Sequence, residues 1–274
     1  MESSQLTPRE FEEFQTLIFK LCGIKVPENK IMLLSNRIRR RLKAAHCDGF
    51  RQYLQLLKSP SGKEELQGLL NVVTTNETSF FRTEKHFEWL QTEFIEEMLK
   101  LQRQGQKEKS IRVWSAACST GEEPYTISIA LAENQLKLTG WTLQVLGTDI
   151  SEQAMAKARQ GIYTEEDSAD IPDKLRSRYF RRRPEGDWEI KPALRNLVQI
   201  ERHNLLEPQR SGLFDCIFIR NVLIYFSRES KQVVIDNLVR ALAPGGYLVV
   251  GPSEGIFDML GMLTRISTFL YRKD

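Results

Sequence analysis

Histidine is scarce in this sequence: there are three in 274 residues, His46, His86 and His203. None stands at ligand spacing from another histidine or from a cysteine, and the adjacent His46-Cys47 pair reads as a solvated helix end. The four cysteines, Cys22, Cys47, Cys118 and Cys216, are scattered, with no C-x-x-C pair. A zinc enzyme and a Cys/His nucleophile system are therefore disfavoured, as is a disulfide framework. No run comes near the ~18 apolar residues of a membrane span, so direct membrane insertion is not expected. The first ten residues lack the basic-then-apolar pattern of a secretory leader, which predicts a cytoplasmic chain. Two phosphate-binding patterns, G-x-G-x-x-G and G-x-x-x-x-G-K-[ST], are missing where a nucleotide fold would need them.

What is present is the composition of an ordinary globular protein, 41% hydrophobic and 27% charged. At roughly 100–200 residues per domain, the length allows one large domain or two modest ones. The net charge is only +3, too small to imply nucleic acid by itself. It is unevenly placed, however. Residues 1–75 hold 12 Lys and Arg against 8 Asp and Glu, a net +4, and residues 30–43 hold six basic residues and no acid. Two units with different jobs are expected.

The first unit, 1–75, reads as all helix. Thr7-Pro8-Arg9-Glu10 is a capping box with proline at the first helical position, and Phe11, Phe14, Leu17, Ile18 and Leu21 follow at helical spacing up to Gly23. A second helix, from about Glu28 to Ala45, carries Ile31, Leu34, Ile38 and Leu42 on one face. Lys30, Arg37, Arg40 and Arg41 gather beside that stripe. Helices near 49–58 and 63–74 complete the unit. A link and a helix over about 84–102 span 76–110, and then the pattern changes. Strands at 111–115, 143–147, 214–219 and 247–250 alternate with helices at 122–137, 151–160 and 228–242, which predicts a doubly wound, mostly parallel sheet over 111–274. The insert at 162–210 breaks the alternation, and its Arg183–Asp187 turn suggests a small antiparallel flap. Thr264 to Arg272 reads as one final strand, antiparallel at the edge.

Three strand ends carry polar or small residues to one edge of that sheet. The first strand runs into Ser115-Ala116-Ala117-Cys118-Ser119-Thr120-Gly121-Glu122-Glu123-Pro124, where small residues let a ligand approach the backbone. Glu122 and Glu123 would repel phosphate and suit a cationic ligand; an acidic helix start favoured by the helix dipole is the alternative. Asp149 ends the second strand and can accept both hydroxyls of a ribose, or merely cap the next helix. Phe214–Ile219 opens into Arg220-Asn221-Val222-Leu223-Ile224-Tyr225-Phe226. Together these describe a nucleoside site without phosphate recognition, for which S-adenosylmethionine, with its positive sulfonium and ammonium, is the natural candidate.

These segments, with Asn76-Glu77-Thr78-Ser79-Phe80-Phe81-Arg82, His203-Asn204-Leu205-Leu206 and Pro244-Gly245-Gly246-Tyr247, resemble the chemotaxis-receptor methyltransferases, the CheR family. The resemblance spans essentially the whole chain. It implies a monomeric, metal-free enzyme that methylates glutamate side chains on the cytoplasmic helices of chemoreceptors and releases S-adenosylhomocysteine. It further implies that Asn76, Thr78 and Arg82 face the cofactor from the link. Glu123, with Glu122 as its candidate partner, would hold the methionyl end and Asp149 the ribose. Asn204 and Leu205 would line the adenine pocket, with Arg220 and Asn221 closing it. Arg82 and Tyr225 would lie nearest the transferred methyl. The short flap turn lacks the longer glycine-containing turn of members that bind a receptor tail, which implies tail-independent action.

The residue inventory agrees with such chemistry. A glutamate carboxylate, of pKa about 4.3, is already ionised at neutral pH and needs no general base. Transfer from sulfonium to carboxylate annihilates charge, so alignment in a dry site is what the protein must supply. The basic helix would steer an acidic receptor bundle; a merely solvated face and a nucleic-acid patch are its alternatives. For the whole chain the alternatives are methylation of RNA or of a small molecule, or a regulator that binds the cofactor without turnover.

Overall fold

Thr7 opens the first helix as its capping box requires: its side chain accepts from the Glu10 amide while Glu10 reaches back to the Thr7 amide at 2.9 Å. This helix, α1 (Pro8–Cys22), ends at Gly23, whose φ of 74° is the left-handed stop that glycine takes without cost. The computed structural model describes residues 5–274. After α1 come α2 (Ile31–Ala44), α3 (Phe50–Lys58) and α4 (Lys63–Val73). Their apolar stripes meet in one core, with Phe14, Ile18, Leu34, Ile38, Tyr53 and Leu69 at its centre. Residues 28–30 form a 3₁₀ turn rather than the first turn of α2.

A second helical stretch comprises α5 (Glu84–Trp89), a π-helical turn over Leu90–Phe94 and α6 (Ile95–Arg103). The α/β unit follows as β1 (Ser110–Ala116), α7 (Glu122–Glu133), β2 (Thr142–Asp149), α8 (Glu152–Gln160), β3 (Ile162–Tyr163), α9 (Asp173–Tyr179), β4 (Phe180–Arg182), β5 (Trp188–Ile190), α10 (Pro192–Arg195), β6 (Val198–Arg202), β7 (Phe214–Ile219), α11 (Arg228–Ala241), β8 (Leu242–Val250), β9 (Thr264–Arg265) and β10 (Leu270–Arg272). The large sheet has the order β6-β2-β1-β7-β8-β10-β9, and β3-β5-β4 form a small separate one. Strands β6, β2, β1, β7 and β8 are parallel, and β10 runs antiparallel to β8. The fold is thus a helical unit followed by a doubly wound, mostly parallel sheet with a small antiparallel flap.

Two expectations change. Residues 198–202, read as part of the 162–210 insert, pair with β2 as an edge of the large sheet. Their short, half-buried alternation gave no buried-strand signal. The C-terminal segment is not one strand but the hairpin β9–β10, which breaks at Ser267.

The chain winds outward from β1 in both directions, to β2 on one side and β7 on the other. A crevice opens where the order reverses, at the carboxyl ends of β1 and β7. The helical unit closes over it at two points. At the end of α1, Leu21 O accepts from the Asn204 side-chain Nδ2 at 2.9 Å, and just beyond it the Lys25 backbone amide donates to Tyr225 O at 2.8 Å. From α4, Gln67 donates to Ile150 O at 2.9 Å, and Asn71 Oδ1 accepts from the Ser151 hydroxyl at 3.2 Å.

Candidate active site

The turn after β1 forms the floor of the crevice. Ala117 and Ser119 adopt left-handed φ values of 64° and 51°, and Gly121 follows at 98°. A Cβ on Gly121 would lie 2.8 Å from the Ala158 Cβ and from the Tyr163 hydroxyl, so glycine is required there by space as well as by φ. Backbone held this way costs of order 1–3 kcal/mol per non-glycine residue and persists only where neighbours enforce it. Asp149 is one such neighbour. Its Oδ2 accepts from the Ser119 amide at 2.8 Å and its Oδ1 from the Ser151 amide at 2.9 Å. Burial raises its pKa, against the lowering effect of those backbone bonds. Of the two readings of Asp149 the capping one does not hold, because α8 is capped by Ser151, whose hydroxyl accepts from the Ala154 amide at 3.3 Å. Asp149 braces both turns and keeps a second lone pair on each oxygen for a ligand.

The cleft measures about 960 Å³ counting its open mouth. Among the residues that line it are Asn76, Thr78, Arg82, Glu123, Asp149, Asn204, Leu205, Arg220, Asn221 and Tyr225. Sequence residues 76 to 225 are thus brought to one cavity by the strand ends and the link. Glu122 is not in it. Its buried carboxylate turns away to accept from the Thr120 hydroxyl at 2.7 Å, and burial raises its pKa. Successive residues of a helix point about 100° apart, so only one of the pair can face the crevice.

Glu123 faces it but is not free. It accepts from the Ser115 hydroxyl at 2.7 Å and from Arg220 Nε at 2.6 Å. The Arg220 side chain is 3% exposed and that of Glu123 10%, so each neutralises a charge the other could not carry alone. Arg220 also donates to Arg82 O at 2.5 Å, and its Nη1 lies 3.4 Å from His86 Nδ1. The guanidinium of Arg82 donates to Glu77 O at 3.2 Å, which folds the link back on itself. The Asn204 side chain is committed to Leu21 O and the Leu206 amide, which leaves its backbone and Leu205 as the surfaces offered to a ligand.

Sequence reasoning missed six contributors. Cys22 and Ile24, from the end of α1, line the cleft, and so do Thr74 and Thr75. Ser115 and His86 fix the Glu123–Arg220 pair from behind. His86 had no motif to single it out, since its partner is 134 residues away.

The basic face of α2 splits in two. Lys30 and Arg40 are exposed. Arg37 instead donates to Val73 O at 2.6 Å and to the Thr75 hydroxyl at 3.2 Å. Arg41 makes a bidentate pair with Glu65, at 2.8 and 2.7 Å, and the Tyr53 hydroxyl joins it. Of the four cations expected to dock a partner, Arg37 and Arg41 thus also hold α4 and the residues just after it to α2.

The donor set fits S-adenosylmethionine. The Asp149 and Glu123 carboxylates and the uncharged amides suit hydroxyls and a cationic tail, and of the two arginines in the lining, Arg82 and Arg220, the second is already neutralised by Glu123. No group of three or more His, Cys, Asp or Glu among the described residues could hold a metal ion, and no helix among them is long and apolar enough to cross a membrane.

Comparison with known proteins agrees with this geometry. The family model described as "CheR methyltransferase, SAM binding domain" matches residues 76–269, and "CheR methyltransferase, all-alpha domain" matches residues 9–74. The chain is 37% identical over 259 residues to the chemotaxis protein methyltransferase of Escherichia coli, covering 92% of this chain and 86% of that one. It is 36% identical over 258 residues to chemotaxis protein methyltransferase Cher2 of Pseudomonas putida, covering 90% of each. With chemotaxis protein methyltransferase 2 of Vibrio cholerae it shares 32% over 276 residues, covering 100% of this chain and 92% of that one. Both units of the fold and the cleft between them therefore place the chain in the CheR family of S-adenosylmethionine-dependent methyltransferases.

Proposed function

We propose that this protein methylates glutamate side chains of chemoreceptors, forming methyl esters in the cytoplasm as part of chemosensory adaptation. The observation that carries this reading is the cleft at the sheet's switch point, lined by Asp149, Glu123, Arg220, Arg82 and Tyr225. When bound, S-adenosylmethionine supplies an activated methyl on a positive sulfur. Asp149 takes the ribose hydroxyls. Asn204, through its backbone, and Leu205 would line the adenine, with Arg220 and Asn221 closing that pocket, while Asn76 and Thr78 would face the cofactor from the link. Glu123, held by Arg220, presents its remaining acceptor capacity to the ammonium, and Asn221 completes the wall. The domain division behind this assignment is a receptor-facing unit over 1–75, a link over 76–110 and a methyltransferase unit over 111–274.

At the reacting centre Arg82 orients the incoming carboxylate, and the Tyr225 hydroxyl supports the methyl's approach. An arginine bound too tightly would quench the nucleophile. The tether of Arg82 to Glu77 O suits positioning rather than full neutralisation. Lys30 and Arg40, with the exposed Arg39 and Lys43, give α2 a positive face for an acidic helix bundle. Met32 and Leu33, 62% and 45% exposed, add apolar contact on the same helix. The flap hairpin closes tightly, with the Arg183 amide on Asp187 O at 2.8 Å, and we assign it tail-independent action.

The test is transfer of labelled methyl groups to receptor fragments with and without their tails, followed by mild base. Base-labile release as methanol is expected from both. Label that resists base, or that is lost when the acceptor is treated with nuclease, would reassign the substrate.

A further inference from the structure

Besides Glu122, a second buried carboxylate lies outside the cleft and takes no part in the chemistry above. Glu254, in the turn that follows β8, is 0% exposed. Its Oε1 accepts from the Asn221 amide and its Oε2 from the Leu223 amide at 2.8 Å. A carboxylate this deep is tolerated only where hydrogen bonds compensate it. Burial raises its pKa, opposed by the amides of Asn221, Leu223 and Val222 and by the nearby Lys231.

Those amides belong to the turn that delivers the site. Asn221 stands at φ 57°, left-handed for a non-glycine residue. Successive amides on either side of such a residue converge into a small anion-binding concavity. Here the anion is the protein's own. The turn begins at Arg220, whose guanidinium reaches Glu123, and runs on to Tyr225 in the cleft lining. Gly251 makes the arrangement possible: a Cβ there would collide with Glu254 Oε1 and lie 3.1 Å from the Asn221 nitrogen. Lys231 donates to Glu254 O at 2.6 Å and fixes the backbone that carries the carboxylate.

We propose that Glu254 is a positioning residue for the cofactor cleft: its carboxylate fills the backbone concavity of residues 221–223 and thereby holds Arg220, Asn221 and Tyr225 in their working geometry. It acts through these residues and touches no substrate. The inference rests on the cofactor reading of the cleft. Binding of S-adenosylhomocysteine, measured without any receptor, keeps its failure distinct from a failure of the receptor assignment.

Glu254→Gln preserves volume but sets an amide NH₂ against one backbone amide. Gly251→Ala keeps the carboxylate and displaces it. Calorimetric Kd for S-adenosylhomocysteine, kcat and receptor KM for methyl transfer, and Tm are to be measured for both. Each variant is expected to weaken S-adenosylhomocysteine about tenfold or more and to lower kcat, with receptor KM within about twofold of wild type. Readings are taken at a temperature where Tm shows the variant fully folded, so that loss of fold does not enter. Wild-type Kd and kcat in folded Glu254→Gln would overturn the proposal. So would a fall in Tm alone, with Kd and kcat of both folded variants at wild-type values, since Glu254 would then only stabilise the fold.

Discussion

Asp149 shows how much one side chain at a strand end can hold. It braces the Ser119 and Ser151 amides and still faces the cleft. Asp149→Ala should therefore lose on two counts. Removing acceptors for ribose hydroxyls, at about 1.5–3 kcal/mol per charge-assisted bond, should lower S-adenosylhomocysteine affinity at least tenfold in calorimetry. Freeing two buried amides should also lower stability by about 1–3 kcal/mol, visible as a fall in Tm without ligand. An unchanged Kd would remove the ribose assignment, whatever happened to Tm. Tyr225→Phe should behave in the opposite way. The Tyr225 side chain has no hydrogen bond that the fold depends on, so cofactor affinity should stay within about twofold of wild type while kcat at saturating receptor falls. Wild-type turnover in that variant would make the phenol a wall residue only.

Helix α2 is basic for two reasons that its sequence does not distinguish. Arg37 and Arg41 are internal fasteners; Lys30 and Arg40 are exposed. Lys30→Ala with Arg40→Ala should therefore leave Tm nearly unchanged, since exposed substitutions cost within about 0.5 kcal/mol. Receptor KM should rise several-fold at low salt, with the gap narrowing as the Debye length shrinks from about 10 Å at 0.1 M. An unchanged KM at low ionic strength would make this a solvated face. Arg41→Ala should do the reverse. The Glu65 carboxylate, 15% exposed, would lose its bidentate partner, and chemical denaturation should register about 1–3 kcal/mol of lost stability. The hydrogen bonds from Arg41 to Glu65 raise the arginine's pKa, as a working ion pair should.

Across the whole molecule, His86 ties the link helix to the sheet. Its ring stacks on Phe269 at 4.3 Å and faces Arg220. Burial, reinforced by the Arg220 charge, lowers its pKa from 6.5 to about 4. Below pH 6.5 the unfolded chain takes up a proton that the folded chain refuses until about pH 4. The unfolded state then binds more protons, so this group's contribution is intact above pH 6.5 and is lost as pH falls towards 4. Tm should drop across that window, and more steeply in wild type than in His86→Gln. Equal slopes would mean that His86 is not buried as a neutral ring.

Much of this protein was legible without coordinates, because its elements are specified locally. The Thr7 capping box, the apolar stripes of α1 and α2 and the buried run Phe214–Ile219 each declare their structure within a few residues. Strands alternating with helices imply that their carboxyl ends share an edge, which is why Asp149, Glu123, Arg220 and Asn221 could be grouped before their contacts were known. What lay beyond reach was pairing over distance. Val198–Arg202 is too short and too exposed to read as a sheet strand until β2 supplies its partner. Whether an arginine on α2 is a docking charge or a fastener depends on Glu65, Val73 and Thr75, which only helix packing brings within reach. The choice between Glu122 and Glu123 is set by the rotation of α7 against the sheet, and the role of Glu254 by the meeting of two loops. Local propensity and periodicity determined the elements and their order; only tertiary packing decided which charges were consumed within the fold and which remained for a ligand, because a hydrogen bond depends on spatial proximity and sequence separation does not reveal it.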